Sequence, residues 1–277
     1  MAEIKRRVLR PTSGWVAIDV PELIRFRDLA IQLASRDVKL RYKQTILGIA
    51  WVVLQPLLAA GMLNFAFGVV AGLKPPNGTS FFLFSFTGLV AWNIFSWTLG
   101  KTSLSMVGNS YLVSKVYFPR LILPFSSTIS TLLDFCVSLG ILAVLLVIYG
   151  VRPGLPILLL PVWIALILFL ALGVGLIAAA LTVDYRDVQH ALPILIPFLL
   201  YASPVAYDVS QIHARFQRGF YLLNPLASLI VGFRWSVLGT SPPPLGYAVF
   251  SALFAVGFFL LGAAVFRRTE RKFADVI

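Results

Sequence analysis

The chain has 277 residues, of which 59% are hydrophobic and 12% charged, and its mean hydropathy is +0.89. Soluble domains are about half apolar and a quarter charged, so this composition excludes a soluble globular protein and indicates a bilayer as the solvent. A net charge of +12 would suggest a nucleic-acid partner in a soluble protein, but here the basic residues flank apolar runs, where they orient the chain, and no nucleic-acid binding is expected.

The N-terminal 43 residues are rich in charge. They contain no hydrophobic core followed by a small-residue cleavage site, so we expect no removable signal peptide. Residues 1–21 carry no pattern that predicts a role beyond a cytoplasmic tail. Residues 22–43 place apolar side chains on one side of a helix, which predicts an amphipathic helix on the cytoplasmic membrane surface, with a soluble amphipathic helix as the alternative. The apolar side comprises Leu23, Phe26, Leu29, Ala30, Leu33 and Leu40.

Six uncharged runs provide candidates for helices that cross a hydrocarbon core about 30 Å thick. They predict an all-α integral membrane protein with one six-span transmembrane domain over residues 44–266. The fifth run is short and contains Pro193, Pro197 and Pro204, so we expect it to be kinked or broken. The predicted spans are residues 46–73, 80–100, 121–149, 155–183, 191–207 and 245–266.

Residues 220–233 form a further apolar run, which is short and contains Pro225. This pattern predicts external re-entrant or interfacial helices before the last span. With six spans both termini share one side, and 18 of the 23 Lys and Arg residues lie on that side. The positive-inside rule therefore predicts that both termini, including a tail of residues 267–277, are cytoplasmic.

The triplet Gly100, Lys101 and Thr102 resembles the end of a phosphate-binding loop. That motif needs a preceding strand and a glycine five residues before its second glycine, but this chain has a predicted span and Phe95 there. Lys101 is therefore interpreted as a basic anchor at the cytoplasmic end of the second span. We expect no nucleotide, metal or other cofactor site in this chain, since its two histidines are predicted on opposite sides of the membrane.

Asp134 is the one acid well inside a predicted span, which makes it a candidate functional site such as a proton relay. The same run contains no second acid, His or Lys that would continue a relay. We favour a structural hydrogen bond that faces protein, with proton coupling as the alternative.

The second span is unusually aromatic. Aromatic faces stack on the C–H faces of sugars without fixing a chain in place, which suits the sliding of a polymer. Interfacial belts and helix packing are the better interpretation for any single ring. The rings are Phe81, Phe82, Phe84, Phe86, Trp92, Phe95 and Trp97.

Two predicted cytoplasmic connections mix charges with aromatic and aliphatic residues: residues 109–124 (NSYLVSKVYFPRLILP) and 183–190 (VDYRDVQH). Such surfaces suit docking to a cytoplasmic partner, and ordinary solvated turns are the alternative.

Three stretches resemble one family. Residues 36–58 (RDVKLRYKQTILGIAWVVLQPLL) resemble the start of the first span in ABC-2 type permeases that export cell-surface polysaccharides such as O-antigen, capsule and teichoic acid. Residues 224–235 (NPLASLIVGFRW) resemble the family's Pro-to-Arg segment, and residues 175–205 (GLIAAALTVDYRDVQHALPILIPFLLYASPV) agree with it. The resemblance extends over nearly the whole chain from about Leu23, in the same order of six spans.

The resemblance implies a non-enzymatic permease in a bacterial inner membrane. It implies a homodimer, surrounded by membrane lipids, above two copies of a separate ATPase that carry ATP and Mg²⁺, with a lipid-linked polysaccharide as the substrate. It also implies a continuous aromatic-lined channel, with Trp51, Phe81, Phe84, Trp92, Phe95 and Trp97 as channel-lining candidates. The implied ATPase-coupling candidates are Lys115, Tyr117, Arg120, Asp184, Tyr185, Arg186 and Asp187.

Other functions stay open at this point. An ABC-2 permease for a small lipid or drug would share the late Pro-to-Arg segment without needing the aromatic cluster. A membrane-embedded transferase would need acids at the membrane face, where the connections offer Asp184, Asp187 and Asp208. A carrier driven by protons would depend on Asp134.

Overall fold

The computed structural model describes residues 20–42, 50–270 and Phe273. Within these residues the chain is helical and contains no strand, which confirms the predicted all-α integral membrane protein. Most of the predicted N-terminal tail, the start of the first predicted span at residues 46–49 and most of the C-terminal tail lie outside the described residues.

The predicted N-terminal helix is present as two helices, α1 (Val20–Arg25) and α2 (Arg27–Tyr42). Ala30 and Leu33 on its apolar side are buried against the start of the third span, while Leu40 is exposed. The apolar side therefore packs largely on protein, and contact of the helix with the membrane surface stays a prediction.

Five helices among the described residues are long and apolar enough to cross a membrane. They correspond to predicted spans one to four and six. The first is α3 (Ala50–Leu63) continued by a π-helical segment, Asn64–Val70. The others are α4 (Phe81–Leu104), α6 (Ile122–Ile148), the segment Leu155–Asp184 that contains α7 (Leu160–Asp184), and α11 (Leu245–Thr269).

The fifth predicted span is shorter than expected. Its helix, α8 (Asp187–Tyr201), has 15 residues and continues through Pro193 and Pro197. It ends before Ser203, whose helical conformation is disfavoured by the following Pro204. At about 1.5 Å per residue, α8 alone falls short of a full crossing of the hydrocarbon core.

The predicted re-entrant segment is a pair of helices, α9 (Ala214–Leu223) and α10 (Pro225–Leu238), bent by 102° at Asn224. The Asn224 amide donates to the Ala202 carbonyl at 2.9 Å, which ties the bend to the turn after α8. In α10, Gly232 packs on Trp163 near the start of α7, and Arg234 contacts Phe84 in the first turn of α4. Both α4 and α7 begin at this end of the bundle, so α10 stays there, as expected for a re-entrant segment.

The spans pack around α4. In its apolar window 83% of the residues are buried, against 11% for the first span, so α4 is central and α3 peripheral. Some hydroxyl groups within the bundle donate to carbonyls of their own helix, as Thr87 does to the Leu83 carbonyl at 2.8 Å, which satisfies them without water.

Glycines bring three of the spans together. A Cβ on Gly262 of α11 would lie 2.9 Å from the Cα of Gly173 in α7, and one on Gly175 would lie 2.8 Å from the Cβ of Thr102 in α4. Such close approach of backbones is the usual way helices associate in lipid. Thr102, Gly175 and Gly262 all lie in the later part of their helices, so α4, α7 and α11 end on the same side of the bundle.

Candidate functional site

The two connections predicted to dock a partner lie at one end of the bundle, here called the loop end. The first loop, residues 105–121, follows α4, and the second, residues 185–186, follows α7. The first loop contributes to one buried cluster, here called the end cluster, together with parts of α2, α6, α7 and α11. The second loop is fully exposed and begins two residues after Val183, the member of the end cluster nearest the end of α7. The end cluster includes Leu33, Val113, Phe118, Val183, Phe266 and Phe273.

The first loop contains a short helix, α5 (Ser110–Lys115), that buries Val113 and leaves its other face open. Lys115 and Tyr117 are exposed, the latter at 70%, so both predicted coupling residues are available to a partner. Arg120, the third candidate in this loop, is half-buried and bonds within the chain to the carbonyl of Glu270. Tyr111 in the same loop, which is not among the predicted coupling residues, is 74% exposed.

The second loop is a tight turn. Asp184 ends α7 and Asp187 begins α8, with Tyr185 and Arg186 between them. All four side chains are exposed, as the prediction of a docking surface requires. Asp187 lies in the first turn of α8, where a carboxylate also stabilises the helix dipole.

The loop end therefore presents two exposed segments supported by one apolar cluster. Exposed aromatic rings and charges of both signs lie next to a rigid backbone that packs into the spans. The first loop has a buried attachment that an ordinary solvated turn would lack, while binding of a partner at either loop stays a prediction.

The predicted channel-lining rings fall into two groups. Phe81, Phe84, Trp92 and Phe95 are buried within the chain, with Trp92 and Phe95 in ring contact at 5.6 Å. Trp97 is half-buried, and Trp51 on α3 is 47% exposed. The four buried rings pack against this chain's own side chains, and a role of any of the six rings in a pathway stays a prediction.

Arg234 is the largest fully buried side chain among the described residues. Its Nη2 donates to the carbonyls of Pro204 at 3.0 Å and Val205 at 2.8 Å, and its guanidinium carbon lies 3.8 Å from the centre of the Phe84 ring. Carbonyl dipoles and a ring face thus stabilise a charge inside the bundle. Gly88 makes room for the group, because a Cβ there would lie 2.6 Å from the Val205 oxygen.

Asp134 faces protein, as predicted, but its partner is a cation. The Nζ of Lys101 lies 3.2 Å from Asp134 Oδ2 and also donates to the Ser130 hydroxyl at 3.2 Å. Lys101 is therefore not the outward anchor that the sequence predicted, since its ammonium points into the contact between α4 and α6. The carboxylate in the same bundle offers a better environment for the ammonium than the apolar lipid surface.

The phosphate-binding interpretation of Gly100 to Thr102 fails in the structure as it does in the sequence, because α4 runs through all three residues. Among the described residues no group of three or more His, Cys, Asp or Glu side chains could hold a metal ion.

The fold and the loop end define a multi-pass helical membrane protein with a candidate protein-docking surface. The model of the ABC-2 type transporter family matches residues 29–238. The chain therefore belongs to the ABC-2 type transporter membrane family.

Proteins of known name are similar over almost their whole length. The O-antigen export system permease protein RfbA of Myxococcus xanthus is 34% identical over 261 residues, covering 93% of this chain and 98% of the relative. The RfbA protein of Klebsiella pneumoniae is 30% identical, covering 90% and 95%. The polysialic acid transport protein KpsM of Escherichia coli is 24% identical, covering 86% and 92%.

Proposed function

We propose that this chain is the permease subunit of an ABC transporter that exports a lipid-linked cell-surface polysaccharide across the bacterial inner membrane, with both termini in the cytoplasm. The observation that carries the proposal is the presence of two exposed, charged loops at the same end of a membrane bundle, one packed into the apolar end cluster and the other directly after a helix that belongs to it. The relatives are named for O-antigen export and polysialic acid transport, which supports a polysaccharide as the cargo.

The energy source in this proposal is a separate ATPase, present in two copies beneath a homodimer of this chain. ATP and Mg²⁺ bind to that partner. In support, the one phosphate-loop-like triplet lies inside α4, where helical hydrogen bonds occupy the backbone amides that would have to wrap a phosphate.

Movement of the ATPase enters the permease through the exposed side chains of the two loops. ATP binding and hydrolysis favour different arrangements of the partner, and the loops bias the spans toward the matching arrangement. The end cluster carries the change to α4, α7 and α11, since all three helices end beside it. The polysaccharide then passes along a surface formed where copies of the chain meet, to which Trp51 and Trp97 have access in this chain.

A permease for a small lipid or drug would not need aromatic rings along its pathway, whereas the proposed polysaccharide permease would. Replacing Trp51 and Trp97 with Leu is expected to slow polysaccharide export, while Phe84→Leu is expected to act through stability because its ring packs on Arg234. Unchanged polysaccharide export by the Trp51 and Trp97 variants would remove these rings from the pathway, whereas absence of polysaccharide export by the wild-type complex would favour a small cargo.

The docking proposal is tested by co-expressing the tagged chain with an ATPase encoded beside it and purifying through the tag. Co-elution and ATP hydrolysis are expected, and both are expected to be lost when residues 184–187 are replaced by alanine. As a matched control, alanines at Arg215 and Arg218, two exposed positions in α9 near the opposite end, should leave co-elution unchanged. A chain that purifies alone and transports without nucleotide would refute the proposal.

A further inference from the structure

Arg120 joins the first loop to the C-terminal end of the chain. Its Nη1 donates to the carbonyl of Glu270, the residue that follows α11, and its guanidinium carbon lies 5.8 Å from the centre of the Phe273 ring. The last carbonyls of a helix have no partner within the helix, and a cation near them is favourable for the helix dipole. A side chain from residues 105–121 therefore caps a span that is about 150 residues away in sequence.

Phe273 belongs to the end cluster. Its side chain is fully buried, and its ring meets that of Phe266 edge to face at 5.3 Å. An aromatic ring buried in this way fixes the position of the backbone that carries it. The cap on Glu270 and the ring of Phe273 thus hold Arg120 at two points.

The beginning of the first loop is held from the other terminus. The Arg36 guanidinium of α2 donates to Asn109 Oδ1 at 2.7 Å, and the Asn109 amide donates to the Ser105 carbonyl at 2.9 Å. Between these attachments lie the exposed residues Tyr111 and Tyr117. The segment that offers itself to a partner is therefore attached at both ends to helices outside the loop.

We propose that Arg120 and Phe273 are positioning residues that couple the first loop to α11, so that both loops respond to the ATPase as one unit. A push on the first loop reaches α11 through Arg120, and α11 transmits it to α7 and the second loop through the close contact at Gly173 and Gly262. Without the contacts of Arg120 with Glu270 and Phe273, movement of the ATPase would displace residues 105–121 alone, and a smaller part of that displacement would be transmitted to α11. This inference rests on the proposed function, because it takes the two loops as the ATPase attachment.

The test uses the complex of this chain with its ATPase in lipid nanodiscs or vesicles. Three quantities are measured: co-elution, ATP hydrolysis, and cargo moved per ATP. Phe273→Leu keeps an apolar side chain in the cluster but removes the ring, and it is expected to retain co-elution and hydrolysis while cargo moved per ATP falls by about tenfold, within the usual range of coupling between sites. Arg120→Ala is expected to lower cargo moved per ATP similarly.

A double-mutant cycle separates positioning from general damage. If Arg120 and Phe273 act as one link, the double variant is expected to transport no worse than either single variant. Arg120→Lys keeps a charge near the helix end but loses the planar group over the ring, so its transport should lie between wild type and Arg120→Ala. Arg268→Ala, which removes an exposed cation from the same end of α11, should behave as wild type.

Cargo moved per ATP that is unchanged in Phe273→Leu, or single effects that add in the double variant, would overturn the inference. Loss of co-elution in Phe273→Leu would also overturn it, because Phe273 would then serve docking and not coupling. Failure of the wild-type pair to co-elute would refute the proposed function instead.

Discussion

Charged side chains inside the bundle are compensated in two different ways. Lys101 and Asp134 neutralise each other across α4 and α6, whereas the guanidinium of Arg234 donates through Nη2 to two carbonyl oxygens and lies over the Phe84 ring. Arg234 suits the second arrangement because its charge is delocalised over a planar group with several donors.

Asp134→Asn is expected to destabilise the protein without abolishing transport by the complexes that remain folded. The change removes the anionic partner of an ammonium that is only 24% exposed, at a cost of up to about 3 kcal/mol, reduced by that residual exposure. Thermal unfolding in detergent measures the loss. The double variant Lys101→Met with Asp134→Leu should recover part of it, because both charges are then absent.

Transport abolished in Asp134→Asn at normal protein level would contradict this prediction and favour proton coupling.

Gly88→Ala is expected to lower stability by displacing Arg234 from the carbonyls of Pro204 and Val205. The added Cβ would lie 2.6 Å from the Val205 oxygen, and backbone on that side leaves little room for relaxation. Gly140→Ala in α6 is the matched control, since a Cβ there meets nothing within 4 Å and alanine has the higher helix propensity. Equal unfolding temperatures for the two variants would contradict a packing role for Gly88.

The sequence predicts that Asp134 faces protein, but it does not predict that Lys101 is the cation paired with it. Lys101 lies 33 residues earlier, and whether the two positions meet depends on the rotation and depth of two neighbouring spans. Composition contains no information on either quantity. In the sequence, Arg234 stands at the end of the segment that resembles the ABC-2 family, and a lone arginine beside an apolar run is also a signal of a functional or structural site in its own right.

At the scale of helices, the hydrophobicity of the sequence predicts that a membrane span exists better than it predicts how long the span is. The uncharged runs predicted five of the six spans because a helix of about 20 apolar residues satisfies its own backbone hydrogen bonds in lipid. These runs overestimated the length of the fifth span. Residues 202–207 are apolar enough to enter a membrane, but they form turns around Pro204. The same kind of run also contains α10, and the structure adds what composition did not predict, a bend of 102° between α9 and α10.

The contact between α7 and α11 is expected to depend on Gly262. In Gly262→Leu the side chain would meet the backbone of Gly173, so the two helices must separate and the end cluster must shift. Reduced thermal stability and reduced transport are expected. Gly257→Leu in the same helix is the matched control, because its Cβ would meet nothing within 4 Å.

Wild-type behaviour of Gly262→Leu, or equal damage from Gly257→Leu, would show that close backbone approach is not what joins these helices.

At the scale of the molecule, the bundle has two dissimilar ends. The loop end joins segments from the beginning, middle and end of the chain, while the opposite end carries α9, α10 and the turn after α8. The distribution of Lys and Arg residues predicted that the two ends differ. Which end faces the cytoplasm stays a prediction.

Labelling of single cysteines tests that direction. In a Cys136→Ser background, Ser210→Cys is expected to react with a membrane-impermeant maleimide in intact spheroplasts, because Ser210 is exposed near α9. Tyr185→Cys in the second loop should react only after the membrane is disrupted. The reverse pattern would place the loop end outside and would exclude a cytoplasmic ATPase on these loops.

The central position of α4 also has a consequence for the insertion of the chain into the membrane during its synthesis. Its apolar window has a hydropathy of 1.4, the lowest of the five spans, against 2.9 for the segment that contains α7. Its buried hydroxyls and the Phe84 ring face protein that includes α7 and α10, which the ribosome produces long after α4 has entered the membrane. During synthesis α4 is therefore a poorly matched helix in lipid, and a nascent chain that stops before residue 225 would present it to membrane quality-control proteases.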